Sequence, residues 1–244
     1  GVNTLTYTYT DGNGCTNTAT TTVTVTGLPL VSFSGLSSEY CEDDNSSVSL
    51  TGSPDPDNLG GTGVFSGSGV TDNGNGDGTF VPSSAGPGLH NVTYTYTDGN
   101  GCTASQTQTV NVNALPTVAF SGLASEYCVD APQVTLTGFP SGGSFSGTGI
   151  SGNNFDPGAA GVGGPYNITY TYTDADGCTN TEVQQVTVNP LPTVSFSGLN
   201  SAYCINAGPV TLSGSPSGGT FTGTGISGNT FYPSVAGVGG PYTI

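Results

Sequence analysis

The stretch YTYTDGNGC at residues 7–15 decides the fold, because it returns at residues 94–102 and, as YTYTDADGC, at residues 170–178. A second marker, the dipeptide Tyr-Cys, also occurs three times, at residues 40–41, 127–128 and 203–204. A pattern that recurs along one chain indicates tandem structural repeats, each a supersecondary unit of the same kind.

The two markers divide the 244 residues into domains. We predict two complete repeats at residues 30–113 and 117–189, joined by short Leu-Pro linkers as beads on a string. Residues 1–26 carry the C-terminal strands, F and G, of a preceding repeat, and residues 193–244 form an incomplete repeat that lacks its last strands. The simpler explanation of these partial repeats is a window on a longer repetitive chain; the alternative is donor-strand exchange between copies.

Each repeat is predicted to be an immunoglobulin-like β-sandwich of about seven strands, labelled A to G, in an all-β chain. Short runs that alternate β-branched or aromatic residues with Thr or Ser are typical of strands with one wet face. No helix is predicted. The tyrosines of the YTYT runs alternate with threonine beside Val92 and Ile168, which predicts buried core positions in strand F instead of a platform for stacking sugars.

The composition excludes several classes of function. The chain has no Lys or Arg, 16 acidic residues and a formal net charge of -16, so it has no cations for phosphate contacts, and we expect no nucleic-acid binding. His90 is the single histidine, which leaves almost no material for a catalytic triad or a His-rich metal site. We expect no enzyme activity, no obligatory cofactor and no membrane insertion in this segment.

The motifs YC, VTLTG, GG-F-G-G, F-P and TYTYTD-GC together resemble the tandem Ig-like or PKD-like repeats of giant secreted surface proteins of Bacteroidota. The resemblance covers the whole chain. It implies an extracellular or cell-surface location, export often by the type IX system, and roles in adhesion, gliding or extracellular fibres. It carries over no catalytic residue, and neither a signal peptide nor a sorting domain lies in these residues.

Each repeat pattern holds one cysteine in the Tyr-Cys marker and one in the hairpin between strands F and G, which in an extracellular chain indicates disulfides. In an Ig-like domain these two positions lie at opposite poles, separated by a strand of about 20 Å. A disulfide needs Cα atoms within roughly 7 Å. We therefore favour a bond across the domain junction, between Cys41 and the next repeat's hairpin residue Cys178.

By the same pattern the other four cysteines have partners in neighbouring repeats: Cys128 and Cys204 pair with later hairpins, and Cys15 and Cys102 with earlier Tyr-Cys markers. The loop closed by Cys41 and Cys178 corresponds to about 5 kcal/mol of chain entropy. The alternative is bonding inside each repeat, Cys41 with Cys102 and Cys128 with Cys178, with a different strand assignment.

A calcium loop is a further candidate site. The oxygen-bearing residues Asn73, Asn75 and Asp77 alternate with glycines as in the start of an EF-hand loop. The twelfth position is Ser84 in place of a bidentate Glu, and a plain Gly/Asn turn explains the same residues.

The sequence favours a structural function: a segment of a long extracellular filament or cell-surface stalk, with neighbouring repeats or identical copies as partners. The alternative is an adhesin module in which the insertions at residues 53–62 and 71–79 bind a glycan or a protein on a host surface, with or without calcium.

Overall fold

The computed structural model describes residues 1–244 and is almost entirely β-structure, which confirms the all-β prediction. The sheets are arranged as sandwiches of the immunoglobulin-like kind. No helix is long and apolar enough to cross a membrane.

Residues 1–26 form one antiparallel hairpin of two strands, β1 (Val2–Thr10) and β2 (Thr16–Thr24). On one face threonines stand directly opposite each other, as in the pair Thr8 and Thr18. The other face carries Leu5 and Tyr7, which are 66% and 70% exposed. This hairpin therefore has an apolar face that nothing in the chain covers.

The strands of residues 30–113 form two four-stranded sheets. The strands and single-turn helices of these residues are β3 (Ser32–Ser34), β4 (Glu39–Cys41), β5 (Val48–Ser53), α1 (Pro56–Leu59), β6 (Thr62–Ser66), β7 (Val70–Gly74), β8 (Asp77–Phe80), α2 (Pro82–Ala85), β9 (Gly88–Thr97) and β10 (Thr103–Asn113). One sheet has the order β4-β10-β9-β6 and the other β3-β5-β8-β7. The long β9–β10 hairpin repeats the sequence of β1–β2 and supplies strands F and G.

The core of this sandwich comes from the inward positions of both sheets, as period-two alternation requires. Tyr94 is fully buried, and its ring lies on Phe65 with centroids 4.7 Å apart. The remaining buried side chains of the cluster are Phe33, Leu50, Phe80, Val92, Tyr96, Val110 and Val112.

Residues 117–189 repeat this plan with shorter strands. These are β11 (Ala119–Ser121), β12 (Glu126–Cys128), β13 (Val134–Thr135), β14 (Thr137–Phe139), β15 (Ser144–Ser146), β16 (Ile150–Ser151), β17 (Asn154–Phe155), α3 (Pro157–Ala160), β18 (Gly163–Thr173) and β19 (Thr179–Asn189). The sheets have the orders β12-β19-β18-β15, β11-β14 and β13-β17-β16. Tyr170 takes the place of Tyr94, with its ring 4.6 Å from that of Phe145.

Residues 193–244 contain the first part of the same pattern and no long F–G hairpin. The elements are β20 (Ser195–Ser197), β21 (Val210–Thr211), β22 (Ser213–Ser215), β23 (Ile226–Ser227), β24 (Thr230–Phe231) and α4 (Pro233–Ala236). They form the small sheets β20-β22 and β21-β24-β23.

Two features differ from the sequence expectations. The four helices are single turns, each with proline at its start, and they were missed because four residues show no helical periodicity. Strand A is divided: β3 pairs antiparallel with β5, whereas β4 pairs parallel with β10 in the opposite sheet. The complete sandwich therefore has eight strands instead of about seven.

Contacts group the chain into two compact units, the first made of Gly1–Gly122, Leu136–Ser146 and Ile168–Gln184 and the second of the remaining residues. Both units draw on residues 117–189, so the predicted domain boundaries stay a prediction. The Cys41–Cys178 disulfide and the hydrogen bonds around it, which are described next, all lie within the first unit.

Candidate junction site around Cys41 and Cys178

The structure joins Cys41 and Cys178, which are 137 residues apart in sequence, by a disulfide with Cα atoms 5.6 Å apart. Cys41 ends β4, and Cys178 immediately precedes β19. Cys178 has no exposed surface, whereas Cys41 is partly exposed. The bond therefore connects the Tyr-Cys marker of residues 30–113 to the hairpin of residues 117–189.

An aspartate fixes the backbone beside each hairpin cysteine. One oxygen of Asp174 accepts hydrogen bonds from the backbone N–H of Asp176 (3.1 Å) and of Cys178 (2.9 Å). Asp98 and Asp11 make the same pair of bonds in the other two hairpins. Asp side chains favour such turns because they satisfy their own backbone donors, so DGNGC and DADGC present cysteine in the same way.

The tyrosine of the Tyr-Cys marker holds the other cysteine in position. The Tyr40 hydroxyl accepts a hydrogen bond from the Ser37 backbone N–H (2.9 Å), and its ring packs on Phe80 with centroids 5.6 Å apart. Side chains alternate along a strand, so an inward tyrosine directs the next residue, Cys41, outward. The two later markers keep the ring contact, Tyr127 with Phe155 and Tyr203 with Phe231.

Polar contacts around the linker reinforce the disulfide. The carboxylate of Glu42 accepts a hydrogen bond from the backbone N–H of Leu115 (2.8 Å). The side-chain amide of Asn180 donates to the carbonyl of Pro116 (2.9 Å). The hydrogen bonds of Glu42 and Asn180 to the linker leave no signal in a single sequence.

The other four cysteines form no disulfide within the chain; Cys15, Cys128 and Cys204 are exposed, and Cys102 is partly exposed. The sulfur of Cys102 lies 3.2 Å from the Thr26 hydroxyl oxygen. Cys41 is thus not paired with Cys102, nor Cys128 with Cys178, as bonding inside each repeat would require. Pairing of these four cysteines with other repeats stays a proposal.

The candidate calcium residues lie at the β7–β8 hairpin, with Asn73 in β7, Asn75 in the turn and Asp77 at the start of β8. Asn75 has a positive φ of 54°, which asparagine tolerates. The side-chain amide of Asn73 donates to the Thr79 hydroxyl (2.7 Å), and Asp77 pairs with Thr51 in the sheet. No group of three or more His, Cys, Asp or Glu side chains able to hold a metal ion is present.

His90, Asp44 and the YTYT tyrosines have local structural roles. His90 donates from Nε2 to the Gly86 carbonyl (2.7 Å). Hydrogen bonds from the Ser46 side chain and backbone lower the pKa of Asp44. Of the tyrosines in the YTYT stretches, Tyr94, Tyr96 and Tyr170 are buried, as the prediction of core positions in strand F requires.

Solved structures show low similarity to this chain. A Ca²⁺-stabilised adhesin that helps an Antarctic bacterium reach out and bind ice is 17% identical with a TM-score of 0.35, over 94% of this chain and 69% of that one. A 1.5-MDa bacterial ice-binding adhesin is 16% identical with a TM-score of 0.33, over 78% and 75%. Fibronectin(III)-like modules of Clostridium thermocellum CbhA are 15% identical with a TM-score of 0.31, over 66% and 95%.

The sequence matches no family model and no curated protein.

Proposed function

We propose that this chain is a structural segment of a long extracellular filament or cell-surface stalk, built from Ig-like repeats and stiffened by disulfides across their junctions. The observation that carries the proposal is the bond between Cys41 and Cys178, because it connects two copies of the repeat pattern. A self-contained domain needs no such connection.

The junction contacts support a mechanical role. Besides the disulfide, the Leu115 and Pro116 positions of the linker are hydrogen-bonded by Glu42 and Asn180, which limits bending there. A linker that is bonded on both sides restricts relative motion far more than a free Gly- or Ser-rich linker does.

The surface and the cysteines fit an extracellular location. Disulfides persist outside the cytoplasm, and the absence of Lys and Arg leaves no site for trypsin-like proteases. By the resemblance of its motifs, we assign the chain to a giant surface protein of Bacteroidota exported by the type IX system.

Stretching single molecules tests this function directly. When the chain is pulled from its two ends, an intact Cys41–Cys178 bond keeps residues 42–177 out of the extension, so oxidised molecules should unravel by roughly 480 Å less than reduced ones. The variant Cys41→Ser/Cys178→Ser is the control and should extend fully with or without reductant. Equal extension of the oxidised and reduced wild type would refute the mechanical proposal.

A further inference from the structure

Four asparagine–glycine pairs occur in the chain, at residues 13–14, 73–74, 75–76 and 100–101. In such a pair the backbone nitrogen of the glycine can attack the side-chain amide carbon of the asparagine, because glycine has no Cβ to hinder the close approach. The attack needs two free groups, the asparagine side chain and the backbone N–H that follows it. A hydrogen bond from either group therefore protects the pair.

Three of the four pairs are protected in this way by the fold. The backbone N–H groups of Gly14 and Gly101 each donate to a carbonyl in their own hairpin turn, at a distance of 3.0 Å. In the third pair the side-chain amide of Asn73 donates to the Thr79 hydroxyl (2.7 Å). These pairs have to break a hydrogen bond before they can react, and a broken hydrogen bond costs stability.

The pair Asn75–Gly76 has neither protection. Asn75 is exposed in the turn of the β7–β8 hairpin, and its side chain makes no hydrogen bond. The Gly76 N–H donates to no acceptor, although the buried Gly76 is held by its carbonyl, which accepts from the Gly52 N–H (2.8 Å). Both reacting groups of this pair are therefore available in the folded chain.

The shorter hairpins at the corresponding place in the other repeats have glycine first in the turn. Asn75 has a φ of 54° and is the single residue other than glycine with a positive φ; Gly152 and Gly228 have φ values of 58° and 57°. The asparagines of those turns, Asn153 and Asn229, come second and are not followed by glycine. The reactive order of asparagine before glycine at this turn is thus particular to residues 30–113.

We propose that Asn75–Gly76 is a self-modification site, at which the folded chain deamidates without an enzyme. The Gly76 nitrogen loses its proton to hydroxide and bonds to Cγ of Asn75, which expels the amide nitrogen as ammonia and closes a succinimide ring. Water then opens the ring at either carbonyl and leaves aspartate or isoaspartate. The sum is asparagine plus water giving acid plus ammonia, with nothing oxidised or reduced. This proposal does not depend on the filament function.

Both products change the hairpin. Each adds a negative charge two residues from Asp77, in a chain whose formal net charge is already -16. Isoaspartate also routes the backbone through the former side chain and lengthens it by a methylene group. Gly76 has little room to adjust, because a Cβ on it would lie 2.7 Å from Cδ of Pro56 and 2.9 Å from the Tyr94 hydroxyl oxygen. The isoaspartate form should therefore lose the hydrogen bond between Gly52 and Gly76.

Peptide mapping by mass spectrometry tests the site directly. After incubation of the folded chain at mildly alkaline pH, Asn75 should deamidate about fivefold faster than Asn13 and Asn100, because a hydrogen bond shields the glycine N–H of the latter two. The same chain in concentrated urea is the control, since all four pairs are then free and should react at similar rates. Equal rates at the three sites of the folded chain, or a preference for Asn75 that persists in urea, would overturn the proposal.

The variant Asn75→Gly is the matched control protein, because it removes the reacting side chain and places glycine where Gly152 and Gly228 stand. On ion exchange the aged wild type should develop a more acidic form that the aged variant lacks. Hydrogen exchange at the Gly52 N–H should accelerate in that acidic form and stay constant in the aged variant. An acidic form of equal amount in both proteins would place the reaction elsewhere and sink the assignment to Asn75.

Discussion

Tyr94 shows at the level of one residue how the fold uses the recurring YTYT stretch. Its ring lies between Phe65 and the glycines Gly52 and Gly63, and its hydroxyl donates to the Pro54 carbonyl (2.7 Å). Burial raises the pKa of Tyr94 to about 12, and the nearby Tyr96 hydroxyl and acidic groups add to the increase.

This raised pKa predicts that the fold loses stability at alkaline pH. A tyrosine in the unfolded chain titrates near pH 10, so the folded state binds the Tyr94 proton more tightly than the unfolded state does. The contribution of protonated Tyr94 to the free energy of unfolding is therefore complete below pH 10 and decreases as the pH rises toward 12. Urea unfolding should show a loss of stability over this window that is smaller in Tyr94→Phe. The control Tyr7→Phe changes an exposed tyrosine and should follow the wild type; equal pH dependence in all three proteins would contradict the prediction.

A second residue-level prediction concerns Asp174. The change Asp174→Ala removes the acceptor of two backbone N–H groups beside Cys178, at a cost of about 1 kcal/mol for each bond. We expect the Cys41–Cys178 bond to form at a more oxidising glutathione ratio, measured by quantifying the disulfide peptide. Asp11→Ala breaks the same turn beside Cys15 and should leave that ratio unchanged; an equal shift in both variants would contradict a local role of Asp174.

At the scale of single elements, β14 and β22 offer a matched comparison. Gly138→Ala places a methyl group 2.1 Å from the Tyr170 ring, and overpacking of this kind costs about 1–3 kcal/mol. Gly214→Ala, at the equivalent strand position, meets its nearest atom at 3.6 Å. Hydrogen exchange should accelerate in residues 117–189 of the first variant, while the second leaves exchange in residues 193–244 unchanged. Similar effects of both substitutions would show that Tyr170 does not fill the space.

The same elements explain what the sequence can and cannot predict. Strands F and G were predictable because nine or more alternating residues, such as those of β9, carry a clear period of two. The division of strand A was not, because β3 and β4 have three residues each and their partners are set by distant strands. The helix α3 was missed for the same reason of length, although Asp156 and Pro157 form a recognisable helix start.

The junction was predictable only in outline. The repeat pattern and strand length favour a pair of Cys41 with Cys178 on geometric grounds, and the placement of this pair at a domain junction stays a prediction. The contacts of Glu42 with Leu115 and of Asn180 with Pro116 depend on the packed linker, which no local pattern of residues reveals.

At the scale of the whole molecule, repulsion between like charges is the dominant long-range interaction. With no Lys or Arg and a formal net charge of -16, nearly all interactions between charged side chains are repulsive. Sodium chloride between 0.01 and 0.5 M should therefore raise the urea midpoint at pH 7, because it screens this repulsion. Near the sequence pI of about 4.1 the increase should largely vanish. A midpoint that falls or stays level with salt at pH 7 would contradict the prediction.

The Cys41–Cys178 bond also changes the connectivity of the molecule. Residues 41–178 form a closed covalent ring, with one piece of open chain leaving it at each cysteine. Any single peptide bond between the two cysteines can be cut by a protease or by hydrolysis, and the ring merely opens, with both outer segments still covalently attached. Over this part of its length the molecule tolerates damage that would sever an ordinary polypeptide in two.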